Sequence, residues 1–173
     1  MAAKTGTYTL IADVTLSTTS STVSFSSIPG TYTDLIIVSC AVATGGTPSL
    51  RFRFNSDSST NYSTVVLSGS GSIGGTTRES NISSGYAGYS QISTTVGEFN
   101  SITHIMDYSN STTFKTVIER SNNASVNTIV SASLWRSTSA ITRIDLAAGG
   151  SFPTNNFASG STFKLYGIEA GNL

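Results

Sequence analysis

The chain has 173 residues, nine Lys+Arg against nine Asp+Glu, one His and a formal net charge of zero. Charged residues make up 10% of it, against roughly 25% in an ordinary soluble domain, while 32 Ser and 26 Thr make a third of it hydroxylic and 38% is still apolar. These figures exclude nucleic-acid binding through a basic excess, a charge-extended disordered chain, a bilayer-crossing helix, a disulfide framework on the single Cys40 and most metal sites built from His and Cys.

The opening MAAKTGTYTLIADV has one Lys and no apolar run before Asp13, so no signal peptide is expected. An N-terminal arm is expected over residues 1–7, leading into a sandwich domain over 8–173. The arm residues Met1, Ala2, Ala3, Lys4, Thr5 and Gly6 are candidates for an assembly contact along a neighbouring subunit. Tyr8, Leu10, Ala12, Val14 and Leu16 then fall on one face with period two, and Val23 and Phe25 alternate with Ser24 and Ser26. Leu35 to Ala43 is apolar on both faces. That predicts a strand in the middle of a sheet, covered on both sides, with Cys40 as a small buried hydrophobe.

Leu50, Phe52 and Phe54 alternate with Arg51 and Arg53, and Asn55-Ser-Asp57 follows as a turn. An Asx-turn explains Asn55 and Asp57; the twelve-residue calcium loop needs more carboxylates and a terminal Glu. Gly69-Ser-Gly-Ser-Ile-Gly-Gly75 lacks the Gly-Lys-Ser/Thr ending of a phosphate loop and reads as a mobile loop, within a flexible excursion from Ser68 to Ser80. Ser70, Ile73 and Arg78 in this stretch are candidate exposed binding-loop residues. So are Tyr86 and Tyr89, in Ser84-Gly-Tyr-Ala-Gly-Tyr89. His104, inside Ile102-Thr-His-Ile-Met106, reads as a satisfied structural histidine. Phe114, Thr116 and Ile118 alternate with Lys115, Val117 and Glu119. Val126, Thr128, Val130, Ala132 and Leu134 make one long face, and Phe163 and Leu165 interleave with Lys164, Tyr166 and Ile168.

Gly/Pro/Asn/Ser clusters punctuate these runs, and no window shows 3.6-residue apolar spacing. The expected fold is all-β: a single antiparallel β-sandwich, jelly-roll-like, with about eight to ten strands. No catalytic, cofactor or metal site is predicted. Asp107, Glu119, Asp145 and Glu169 are the acids on strand-like runs that a glycan hydrolase would need in a converging pair. An uncharged hydroxyl surface suits many copies packed closely, because neighbours carry no net charge to repel. A homo-oligomer is therefore expected.

The segments Tyr8-Thr-Leu-Ile-Ala-Asp-Val-Thr-Leu16, Val23 to Ile28, Tyr32-Thr-Asp-Leu-Ile-Ile37, Leu50-Arg-Phe-Arg-Phe-Asn55 with Asn61-Tyr-Ser63, Ala140 to Leu146 and Ser161 to Ile168 carry a likeness. Together they resemble small β-sandwich structural proteins of tailed bacteriophages. The resemblance implies a virion component with a jelly-roll-like sandwich, often trimeric. It also implies capsid or tail proteins as partners and assembly in the host cytoplasm. The leading expectation is a capsid decoration (cement) protein. The alternative is a tail-fibre or receptor-binding domain with a host-surface glycan as ligand. Nucleic-acid binding and membrane insertion are not expected.

Overall fold

Twelve strands, every pair antiparallel, form two stacked sheets in a computed structural model that describes residues 7–169. The larger sheet holds β1 (Tyr8–Thr15), β3 (Asp34–Cys40), β5 (Tyr62–Ser70), β6 (Ile73–Ile82), β8 (Phe99–Ile105), β9 (Lys115–Asn123), β10 (Asn127–Trp135) and β12 (Thr162–Ile168). Its order is β1-β12-β3-β8-β9-β10-β5-β6. The smaller sheet holds β2 (Thr22–Phe25), β4 (Ser49–Phe54), β7 (Gly85–Gln91) and β11 (Ile144–Ala148), in the order β2-β11-β4-β7. The chain is an all-β sandwich, with twelve strands where eight to ten were expected. No helix occurs among the described residues. The candidate arm, Met1 to Gly6, lies outside them.

Phe52 and Phe54 of β4 stack at 4.4 Å between ring centroids and meet Tyr62 of β5 and Trp135 of β10 edge-on or tilted. Leu35, Ile37, Phe163 and Leu165 add aliphatic and aromatic bulk on the other side of the core. All of these are inward positions of period-two strands, so burial follows directly from alternation.

Four local expectations are corrected. First, Tyr8, Leu10, Ala12 and Val14 do not share a face. Pairing with β12 slips between Leu10 and Ala12, so the bulge at Ile11 turns Tyr8 and Leu10 outward while Ala12 and Val14 pack on the core. Second, β3 is buried on one face only; Ile36 and Val38 stay partly open. Third, Cys40 is exposed, because it ends β3 on the outward phase. Fourth, Ser68 to Ser80 is no loop. β5 and β6 pair continuously from Ser63↔Ser80 to Ser70↔Ile73, closed by the two-residue turn Gly71-Ser72. Gly is a poor strand former and Ser a weak one, and no apolar residue alternates along Gly74 to Ser80, so the hairpin was hidden by its own polarity.

The least expected feature concerns β9 and β10. Lys115, Val117, Glu119, Ser121 and Asn123 point inward, and Thr116 and Ile118 point out. On β10, Ile129, Ser131, Ser133 and Trp135 point inward, and the row Thr128, Val130, Ala132 faces solvent. Opposite this polar inner patch lies β7, with Gly85, Ala87 and Gly88. A Cβ on Gly88 would stand 2.6 Å from the Phe99 ring, so the sheets approach too closely here for large side chains. Hydroxyls fit instead and bind the β7 backbone: Thr103 Oγ1 donates to Ala87 O at 3.0 Å, and Ser90 N donates to Ser121 Oγ at 3.2 Å.

Candidate functional site

The inversion of β9 and β10 moves apolar side chains to the outer face of the eight-stranded sheet. Strand register places Leu10, Tyr166, Ile36, His104, Ile118, Ala132, Val65 and Arg78 in one unbroken row across all eight strands. A second row holds Lys164, Val38, Ile102, Arg120, Val130, Leu67 and Thr76. Within these rows Leu10 is 50% exposed, Val65 50%, Leu67 57%, Ile118 40% and Val130 47%. Apolar residues scattered singly need no account, but a contiguous row of this kind makes the face the candidate site.

The face is grooved. Tyr8, Ile36, Val38, Ile102, Arg120 and Tyr166 line a depression of about 410 Å³, and a neighbouring one of about 300 Å³ is lined by Ile36, Ile102, His104, Ile118, Arg120 and Val130. Arg120 stands between the two and has no ion-pair partner among the described residues. Arg78, at the β6 end of the first row, likewise has none, whereas Lys164 and His104 are partnered. Lys164 Nζ meets Asp13 Oδ2 at 2.9 Å, and His104 Nε2 meets Asp34 Oδ2 at 2.8 Å. The expected structural role of His104 fits that partner.

The five candidate loop residues do not form one site. Ser70 and Ile73 flank the hairpin turn, with Ile73 71% exposed, and Arg78 lies on the outer face of β6. Tyr86 and Tyr89 are not loop residues but belong to β7. Tyr86 is buried, with the Arg51 guanidinium 3.7 Å above its ring and its hydroxyl donating to Glu79 Oε1 at 2.9 Å. Burial, aided by Glu79, pushes the Tyr86 hydroxyl pKa well up despite Arg51. This cluster clamps β6 onto the smaller sheet; it is packing, not an open aromatic platform.

The acids weighed for hydrolysis are not brought together. Glu119 lies inside the sandwich, Asp145 is held by Arg143 Nη2 at 2.6 Å, Glu169 accepts from Thr9 Oγ1 at 2.8 Å, and Asp107 sits in the turn after β8. No group of three or more His, Cys, Asp or Glu able to hold a metal occurs among the described residues.

Arg120, Val65, Leu67, Ile118 and Val130 were missed as a site because β5, β9 and β10 carry apolar residues in both phases: Val65 beside Val66, Val117 beside Ile118, Ile129 beside Val130. Alternation alone cannot choose between such phases. No protein-family profile, no curated protein and no solved structure matches this chain.

Proposed function

We propose that this chain is a structural protein of a tailed-bacteriophage virion, a capsid decoration protein that docks on the assembled shell through the outer face of its eight-stranded sheet. The observation that carries the reading is the pair of apolar rows on that face, with Val65, Leu67, Ile118 and Val130 each about half open. Covering a half-exposed side chain of this size is worth roughly 1 kcal/mol. A modest contact of this kind, repeated over many copies, stabilises whichever state of the shell offers the complementary surface. The resemblance of the strand segments to phage structural proteins supplies the particle. The zero net charge allows many copies to sit side by side.

The test uses particles that lack the protein. Purified full chain added back should bind in hundreds of copies per particle and raise the temperature at which the shell opens. Val130→Lys should fold normally and bind much less. A handful of copies, located on the tail, would instead favour a fibre or receptor-binding role. The exposed β5–β6 hairpin tip at Ile73 is the feature that would serve such a role. Failure to bind any part of the particle would remove both readings.

A further inference from the structure

Two sheets have four edge strands, and three of these edges are protected. β1 carries the bulge at Ile11. β2 is only four residues long. β7 pairs with two irregularities, and side chains of the larger sheet hold its backbone; Asn123 Nδ2, for example, donates to Gln91 O at 2.8 Å. Bulges, shortness and covering are the ordinary means of keeping an edge from recruiting another strand.

β6 is different. It is the longest strand, at ten residues, and ends the larger sheet. Its only irregularity is the bulge residue Asn81, at φ 55, near its far end. The eight residues Ile73 to Ser80 run straight against β5, contain no Pro and no Lys, and are exposed apart from Glu79. Glu79 is the one inward charge, and Tyr86 and Arg51 satisfy it within the chain.

We infer that β6 is the surface through which this chain pairs with a second copy of itself, β6 to β6 and antiparallel about a two-fold axis, joining two eight-stranded sheets into one. An open antiparallel edge presents N–H and C=O groups in a repeat that is complementary to itself, so an isologous contact satisfies both copies at once. Pairing β6 with the other free edge, β1, would run into the bulge at Ile11 and leave a second edge open.

Charge and face select the register. The outer faces of the two copies lie on the same side, so opposed residues must share a face. Centring on Thr76 or Thr77 satisfies this and sets Arg78 opposite Gly74 or Thr76. Centring on Arg78 would press two guanidiniums together. Gly74 and Gly75 put no side chain in the path. The arrangement lays the two apolar outer faces side by side. It is two-fold, unlike the trimer that the resemblance implies, and it goes beyond the proposed role on the virion without depending on it.

Sedimentation and light scattering of the full chain at about 50 μM, above the micromolar range of a modest contact, decide the matter. The expected species is a dimer. Thr76→Lys should weaken it by roughly tenfold or more, because the new ammonium faces its own copy or Arg78 in either register. Val130→Lys, on the face and away from the edge, should leave the dimer intact. Hydrogen exchange should show the edge-facing amides between Ile73 and Ser80, every second one and not those bonded to β5, protected in the wild type and fast in Thr76→Lys. A monomer, an odd-numbered oligomer, a dimer unmoved by Thr76→Lys or one abolished by Val130→Lys would each overturn the pairing. A monomer that still coats particles would remove the pairing alone, and a dimer that binds no particle would remove the virion role alone.

Discussion

Ser131 Oγ donates to Glu119 Oε2 at 2.6 Å inside the sandwich, while Glu119 Oε1 has no partner. Burial, the largest influence, pushes the Glu119 carboxyl above its ordinary 4.5, and the nearby polar groups of Ser121, Ser131 and the Tyr89 backbone only partly offset it. The penalty falls on the charged form in the folded state alone. The contribution of Glu119 to stability is therefore most favourable below about 4.5, where both states hold the proton, and falls as pH rises from there through the folded value. Glu119→Gln removes the charge and keeps the shape. It should raise stability by about 1–3 kcal/mol at neutral pH and change little near pH 4, as read by urea unfolding at the two pH values. An equal effect at both would refute the argument.

That buried carboxyl also shows what the sequence could and could not reveal. Alternation located most of the strands, because period two survives whichever face is buried. It could not assign the faces of β9, where Lys115, Glu119, Ser121 and Asn123 alternate with Thr116 and Ile118. The deciding factor lies far along the chain: β7, rich in small residues, comes so close at Gly88 that hydroxyls on the facing strands bond its backbone. Lys115 is buried whole, and its Nζ is satisfied by donating to Thr113 O at 2.7 Å and Thr138 O at 3.2 Å. The outer face was illegible for the same reason, since its apolar rows exist only once that inversion is known. The turn chemistry of Asp57 depends on neighbours in sequence and was read correctly.

Asp57 accepts from Ser59 N at 2.9 Å, the Asx-turn, and from Trp135 Nε1 at 2.7 Å. Partial burial pushes its carboxyl up, but the hydrogen bonds from Ser59, Trp135 and Asn61 prevail and hold it at about 2. The stabilisation is thus present above the ordinary 3.8 and is lost as pH falls from there toward 2. Asp57→Ala should cost about 1–2 kcal/mol at pH 7 and much less near pH 2. Trp135→Phe should lose part of the same pH dependence. Thermal melts of the two variants across this range check the claim.

Gly88 lets the two sheets approach, and Gly85 leaves room for the ring of Phe52, its partner on the neighbouring strand β4. A Cβ on Gly85 would stand 2.2 Å from the Phe52 ring, itself fully buried against Phe54 and Tyr62. The ring cannot swing away, so Gly85→Ala should destabilise by about 1–3 kcal/mol through overpacking. Gly71→Ala, in the open hairpin turn with nothing within 4 Å, is the control and should shift stability by no more than about 0.5 kcal/mol. Denaturant midpoints separate the two outcomes.

The outer face should behave as surface in the isolated chain. Val65, Ile118 and Val130 stand 40–50% exposed on three adjacent strands. Thr keeps the β-branch that suits a strand. Changing all three to Thr should therefore alter stability by no more than about 0.5 kcal/mol each, because little buried area is lost. The same triple variant should elute earlier from a hydrophobic-interaction column and bind less of a dye that reports apolar surface. A core role for these residues would show instead as a loss of several kcal/mol, the cost of truncating buried aliphatic side chains. The experiment therefore distinguishes apolar side chains that stand on the outer face of the sheet from ones that pack in the core.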